Sequence, residues 1–294
     1  AKLAEQVVSE ILKRGQLADW HIQGLLGYGG FGCVFSGQRK RVDDKIERAA
    51  IKVRMPGFQG DKSLFIHEFN VLRNLDNQYV AKLLGSGIEQ ISVDGRIENL
   101  QWFALEEIQG HNLEQDIEEH GLLDKQQWLE LAHDLLDAVA HLHSVGIIHK
   151  DIKPVNIMRS TRKFVLVDLG IASFVGITDP GDIWASSVAF AAPEQWNGSV
   201  QPEDLNYAVD LFAVASTLVF AGTGVTPWDY PSNSKIENGR EISPDSLFLR
   251  NIQTVSPRLS GLDLDQIEIL RPMLNIDPNQ RGSALETLGK IKSL

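Results

Sequence analysis

The sequence predicts an α+β fold in two lobes, a small antiparallel β-sheet lobe with one helix followed by a larger helical lobe. Three observations carry that reading. Short runs rich in β-branched and aromatic residues, separated by turn residues, fill the chain from Ile22 to Leu105. One stretch at helical spacing, Leu64–Leu75, interrupts them. After Gly110 the apolar residues adopt the helical period and keep it. A chain of 294 residues is also long for a single core. We divide it into an N-terminal helical extension (1–19), the small lobe (20–108) and the large lobe (109–294).

Taken in order, Leu3, Val7 and Ile11 repeat at helical spacing among Lys, Glu and Gln, which predicts a short amphipathic helix ending near Leu12. Strands are predicted at Ile22–Leu26, Cys33–Gly37, Ala49–Val53, Ile88–Val93 and Arg96–Leu105. Val93-Asp94-Gly95-Arg96 supplies a tight hairpin turn between the last two. In the large lobe Leu129, Ala132, Leu135, Leu136, Val139 and Leu142 draw a wide apolar stripe on a helix over Gln126–His143. Asp210–Ala221 is apolar on all sides, as a central buried helix would be. Leu262–Leu274 and Ser283–Leu294 add further helices, and Asp229–Pro244, rich in Ser, Asn, Pro and Gly, reads as a loop.

Composition narrows the functional class. A net charge of −11 and a pI near 5.2 argue against nucleic-acid or anionic-membrane binding, since both need a basic footprint, and leave proteins as the expected partners. Cys33 is the only cysteine, so neither an intrachain disulfide nor a multi-cysteine metal site can form, and a reducing, cytoplasmic setting fits. We expect its side chain to point outward and to be inert. The longest apolar stretch, Leu211–Gly222, is too short to span a membrane. A chain opening at Ala1 without methionine reads as the excised domain of a larger protein.

Four features carry chemistry. Gly27-Tyr28-Gly29-Gly30-Phe31-Gly32 lies between two predicted strands, where glycines let backbone amides approach phosphate oxygens. Because a strand and not a helix follows, a dinucleotide-binding reading fails. Lys52 sits in the apolar strand Ala49–Val53 and needs an anion there, and Glu68 on the following helix is the candidate. The third and fourth are His149-Lys150-Asp151-Ile152-Lys153-Pro154-Val155-Asn156 and Val167-Asp168-Leu169-Gly170.

These stretches resemble the catalytic loop H-R-D-x-x-x-x-N and the D-F-G motif of protein kinases. The resemblance extends from Gly27 to Arg281 and is to eukaryotic-like (Hanks-type) serine/threonine protein kinases. It implies ATP with Mg2+ as cofactors, Mn2+ being an alternative ion, and protein substrates. It makes Asp151 the catalytic base, Lys153 the cation for the γ-phosphate, and Asn156 and Asp168 the metal ligands. It places Gly27, Gly29, Gly30 and Gly32 over the phosphates, with Lys52 held by Glu68. Val34, Ala50 and Met158 would sandwich adenine, Glu106 and Ile108 would offer hinge backbone groups, and Leu105 would limit the pocket. Leu72, Leu83, His149 and Leu169 match a stacked apolar column. Ala191-Ala192-Pro193-Glu194 resembles A-P-E, whose glutamate pairs with the arginine matching Arg281, and Asp210 matches the aspartate that anchors the catalytic-loop backbone. Lys153-Pro154, and Ser187 as a hydroxyl bridging Asp151 and Lys153, imply serine/threonine preference. Pro193-Glu194-Gln195 is similar to bacterial-type kinases.

The pattern departs from the family at Lys150, where an arginine usually reads a phosphate on the activation segment with a bidentate contact that lysine cannot reproduce. Activity is therefore expected not to require that phosphate, although Thr178, Ser186 and Ser187 could accept one. Leu169, Phe212 and Ala215 also differ from the usual residues without touching the chemistry. His133, His141, His143 and His149 fall close in sequence but lack metal-ligand spacing. Two rivals are a pseudokinase scaffold, which predicts a broken catalytic set, and a small-molecule phosphotransferase, which usually lacks the glycine loop, A-P-E and the late arginine. A regulator of the N-terminal helix is a further candidate partner.

Overall fold

The computed structural model describes residues 2–29, 32–56, 62–175, 189–195, 205–237 and 240–294. Its contacts divide the chain into two compact units, one of residues 1–76 with 81–108, the other of residues 77–80 with 109–294.

In the first unit, β1 (Gln16–Leu17), β2 (Trp20–Gly29), β3 (Gly32–Lys40), β4 (Ile46–Arg54), β5 (Leu83–Val93) and β6 (Arg96–Glu106) form an antiparallel sheet in the order β1-β2-β3-β4-β6-β5. The strands outrun the predicted apolar segments because ladder pairing carries polar positions along, such as Gln38 opposite Arg48 and Arg39 opposite Glu47. Asp94 and Gly95 both take positive φ (49° and 78°) in the two-residue turn joining β5 to β6, the backbone that the right-handed strand twist favours. Helix α1 (Lys2–Arg14) lays Val7, Val8 and Ile11 against one face of this sheet, over Trp20, Phe35, Ile51, Val53 and Trp102. Gln6 Nε2 donates to Asp94 at 2.5 Å, tying the helix to the turn.

Cys33 belongs to this core and is fully buried, which corrects the expectation that it points outward. Along β3 it alternates with Val34, and the inward parity falls on Cys33 and Phe35 because that is the face α1 covers. Burial pushes the thiol up to about 11, so it remains unreactive as expected.

The second unit contains α3 (Leu113–His120), α4 (Lys125–Ser144), α5 (Ala208–Thr223), α6 (Pro244–Thr254), α7 (Leu264–Met273) and α8 (Ala284–Ile291); α2 (Lys62–Leu72) lies in the first. Capping boxes start α3, α4, α7 and α8 at Asn112, Asp124, Asp263 and Ser283, each satisfying amides that the first helical turn leaves open. α5 is buried on nearly every side, as its uniform apolarity predicts, and Trp128 of α4 donates its indole N–H to Leu218 O at 2.8 Å. Short strands complete the unit: β7 (His111–Asn112), β8 (Ile147–Ile148), β9 (Ile157–Arg159), β10 (Phe164–Leu166), β11 (Ser173–Phe174), β12 (Lys235–Glu237) and β13 (Arg240–Ile242). The β12–β13 hairpin corrects the reading of Asp229–Pro244 as plain loop. It is held by polar contacts that leave no apolar alternation, notably the two-pronged Arg250–Glu237 pair at 2.7 and 2.9 Å. Among the described residues no helix is long and apolar enough to cross a membrane.

Candidate active site

In the first unit the glycine segment is the β2–β3 hairpin, with Gly27 opposite Val34, Tyr28 opposite Cys33 and Gly29 opposite Gly32; Gly30 lies outside the described residues. A Cβ on Gly27 would meet open space, as expected where a ligand approaches the backbone. Gly32 has a different reason to be glycine: a Cβ there would stand 2.0 Å from the Val53 carbonyl oxygen on β4.

Lys52 lies directly across from Val34, with Ala50 two residues along, so all three share the half-buried sheet face opposite the one α1 covers. Phe65 and Phe69 of α2 pack on Phe103 with ring centroids 4.9 and 6.5 Å away, which turns Glu68 toward β4. Lys52 Nζ meets Glu68 Oε2 at 2.5 Å, and Glu68 is only 1% exposed. The predicted partnership is present, and it satisfies two charges that burial would otherwise penalise. At the end of β6, Glu106 N–H donates to Lys82 O at 2.8 Å and Glu107 N–H to Arg48 O at 3.2 Å; Ile108 is the last residue of this unit.

In the second unit β8 pairs with β11, and β9 pairs with β10 and β7, fixing both ends of the His149–Asn156 loop and the start of the Asp168 turn. Asp151 uses its two oxygens differently. Oδ2 accepts from Lys153 Nζ at 2.8 Å and from Asn156 Nδ2 at 3.1 Å. Oδ1 is buried and has no hydrogen-bond partner among the described residues. Asn156 Nδ2 also donates to the Asp151 carbonyl at 2.9 Å, so the amide braces the loop from within. Val167 N–H donates to Asn156 O at 2.9 Å, which brings Asp168 beside that amide's segment. Asp168 itself is exposed, takes a left-handed φ of 61°, and accepts from Gly170 N–H at 3.2 Å. Met158 lies on β9 between Val165 and Asn112. Ser187, Thr178 and Ser186 lie outside the described residues.

A lysine–glutamate pair beside a glycine hairpin in one unit, and an aspartate braced by lysine and asparagine in the other, match one family over most of the chain. Residues 20–290 fit the model of the protein kinase domain. The chain belongs to the protein kinase family. Its curated relatives include serine/threonine-protein kinase F of Synechocystis sp., 31% identical over 70% of this chain and 44% of the relative. They also include the probable serine/threonine-protein kinase PknB of Lactococcus lactis, 31% identical over 69% of this chain and 31% of the relative. The probable serine/threonine-protein kinase PkwA of Thermomonospora curvata is 25% identical over 95% of this chain and 34% of the relative. The kinase domain thus spans less than half the length of each of these relatives.

Behind the loop, this kinase domain holds the His149–Asn156 segment with a buried carboxylate. Asp210 is fully buried and accepts from His149 N–H, Lys150 N–H and His143 Nε2, each at 2.9 Å. Burial alone would raise its pKa, but the His143 bond and the neighbouring imidazoles and amides hold it below the ordinary carboxylate value. Asp151 N–H donates to His149 Nδ1 at 3.2 Å, so Nδ1 serves as an acceptor within the loop. Arg281 forks onto Glu194 at 2.5 and 2.9 Å, as the family pattern predicts.

Two contributors escaped sequence reasoning. His143 stood among clustered histidines with nothing to mark its aspartate partner, and Gln195 entered only as the end of the Pro193-Glu194-Gln195 run, with no role assigned to its side chain. Of the clustered histidines, His133 faces Asp134 and His143 faces Asp210. His111, Glu119 and His120 bring ligand-type atoms within 4.8 Å of one another, but all three are exposed; His111 Nδ1 lies 3.1 Å from Glu119 and His120 Nδ1 3.1 Å from the buried Asp116.

Proposed function

We propose that this kinase domain transfers the γ-phosphoryl group of ATP to serine or threonine hydroxyls of protein substrates, with Asp151 orienting the hydroxyl and taking its proton. The observation that carries this is the divided carboxylate. Lys153 and Asn156 hold Oδ2, while Oδ1 is buried without a partner among the described residues, the state expected of an acceptor awaiting a hydroxyl donor. In the step, the substrate oxygen bonds to the γ-phosphorus, the bond to the β,γ-bridging oxygen breaks, the hydroxyl proton passes to Asp151, and ADP departs. Lys153 balances negative charge beside the reacting oxygen, and Lys52, aimed by Glu68, binds the nonreacting phosphates.

Asn156 and Asp168 suit magnesium, which prefers hard oxygen ligands. Asn156 directs its amide nitrogen to Asp151, leaving a carbonyl oxygen as its donor atom, and Asp168 presents an exposed carboxylate. Bound magnesium supplies neutralisation of the phosphate charge. Gly27, Gly29, Gly30 and Gly32 serve the phosphates, Val34, Ala50 and Met158 the adenine faces, and the Glu106 and Ile108 backbone its edge. Lys153-Pro154 and Ser187 support serine/threonine preference. Lys150 supports activity without a phosphate on the activation segment, so phosphatase-treated protein should remain active. A regulator acting on α1 would have to use its solvent face, because Val7, Val8 and Ile11 are already buried.

The deciding experiment is phosphate transfer from γ-labelled ATP with Mg2+ to a generic protein substrate, followed by phosphoamino-acid analysis. Asp151→Asn should reduce kcat about 100- to 10,000-fold, the usual range for a positioned base, and Asp168→Asn should be similarly impaired. Equal activity in all three proteins overturns the mechanism. Nucleotide binding without transfer by the wild type favours the pseudokinase reading, and label on tyrosine refutes the specificity.

A further inference from the structure

We infer that Gln195 is a positioning residue for the catalytic loop, a neutral clamp that fixes the peptide ahead of Asp151 without a phosphate. The inference rests on the reading of Asp151 given above, and starts from the backbone of Lys150. That residue has φ 68°, a left-handed conformation that L side chains disfavour and that persists where the surroundings over-determine it. Both of its backbone polar groups are tied. Its N–H donates to Asp210 Oδ1 at 2.9 Å, and its carbonyl accepts from Gln195 Nε2 at 3.0 Å. The carbonyl belongs to the peptide plane that leads directly into Asp151, so a rotation there would swing the carboxylate.

Gln195 is well placed to resist that rotation. It is 5% exposed, and its Oε1 accepts from Ala192 N–H at 2.9 Å. Since an N–H can only donate, the amide orientation is settled: the oxygen faces Ala192 and the nitrogen faces Lys150. The turn carrying Gln195 is itself anchored, by Gln195 N–H to Ala192 O at 2.9 Å and by the Arg281 fork on the adjoining Glu194. A continuous path of buried hydrogen bonds therefore runs from Arg281 through the Pro193–Gln195 turn to the Lys150 carbonyl. Where the family pattern uses an arginine and a phosphate to order this region, the present chain has Lys150 and a buried amide that needs no modification. The basal geometry of the loop depends on that amide.

Gln195→Glu tests the clamp with almost no change in shape. The carboxylate still accepts from Ala192 N–H but offers the Lys150 carbonyl no hydrogen, and a protonated carboxyl would restore it. At the alkaline end of the pH profile, above the pKa that burial raises for this carboxyl, kcat should fall about 10- to 100-fold, the cost of a modest misplacement, with KM for ATP nearly unchanged. As the pH is lowered the deficit relative to wild type should shrink as the carboxyl regains its proton. Gln195→Met, which keeps the volume but neither bond, should show the deficit without the pH recovery. Hydrogen–deuterium exchange of the segment around 147–156 gives a readout independent of catalysis and should rise in Gln195→Glu at the higher pH. Unchanged exchange, wild-type kcat, or a deficit insensitive to pH each overturns the clamp. If exchange responds while Asp151→Asn retains activity, the clamp stands and the catalytic reading of Asp151 falls.

Discussion

Replacing Arg281 with lysine should destabilise the domain far more than a conservative exchange of cations suggests. The Arg281 side chain is fully buried, with Glu194 11% exposed opposite it. Its guanidinium donates to both Glu194 oxygens at 2.5 and 2.9 Å, to Ala208 O at 2.9 Å and to Asn275 O at 2.8 Å, and lies 5.0 Å from the Phe212 ring. A lysine ammonium keeps the charge and can reach one carboxylate oxygen, but a single nitrogen cannot span the fork and the two carbonyls. About two hydrogen bonds to a charged group would be lost, at about 1.5–2 kcal/mol each. The resulting loss of about 3–4 kcal/mol agrees with the penalty for breaking a buried ion pair from one side. At about 2–4 °C per kcal/mol for a domain of 150–250 residues, Tm should fall by about 6–16 °C. Differential scanning calorimetry measures this directly, and a cycle with Glu194→Gln should give a coupling energy of about 1–3 kcal/mol. A drop below about 2 °C, or strict additivity in the cycle, would refute the claim that the fork and not the charge holds the two segments together.

Gly32→Ala should impair folding, because its Cβ would stand 2.0 Å from the Val53 carbonyl oxygen, whereas Gly27→Ala, which meets open space, should leave Tm nearly unchanged and affect nucleotide binding instead; thermal melts with and without ATP separate the two. Asp210 titrates below its unfolded value, so the stability it contributes is complete above the ordinary aspartate pKa of about 4 and is lost as pH falls through the lower folded-state value. Melts recorded from neutral to acid pH should therefore show a loss at the acid end that is smaller in Asp210→Asn, and parallel curves would contradict the assignment. Cys33, buried and with its thiol pushed up to about 11, should resist a thiol reagent in the native protein and react at once in denaturant; fast native labelling would contradict its burial.

Residues Lys150 and Asp168 both adopt left-handed backbone beside the proposed chemistry. Neither is glycine, so nothing in the residue type announces the conformation. For Lys150 the compensation is visible in the hydrogen bonds from its N–H and to its carbonyl, which hold the loop in a geometry the local sequence would not choose.

The sequence by itself determined the strands β2–β6 and the helices α1, α2, α4, α5, α7 and α8, because periods of two and 3.6 are properties of neighbouring residues, and α5 or the Asp94-Gly95 turn can be read from a few positions; α3, α6 and the short strands β1 and β7–β13 were not read from it. It also determined the Lys52–Glu68 partnership, since a charge in an apolar strand demands an opposite one, whereas the Arg281–Glu194 pair was implied only by the resemblance to the family. Tertiary structure alone decided which parity of β3 faces the core: α1 covers the face holding Cys33 and Phe35 and leaves Val34 beside Lys52, and alternation cannot say which face a distant helix will cover. It alone divided the Asp151 carboxylate into a held oxygen and one unpartnered among the described residues, and brought His143 to Asp210 and Gln195 to Lys150. Those contacts join residues far apart in the chain through neutral or buried polar groups. Such groups carry no periodicity, and their partners are fixed only when the whole unit packs and every buried donor must find an acceptor.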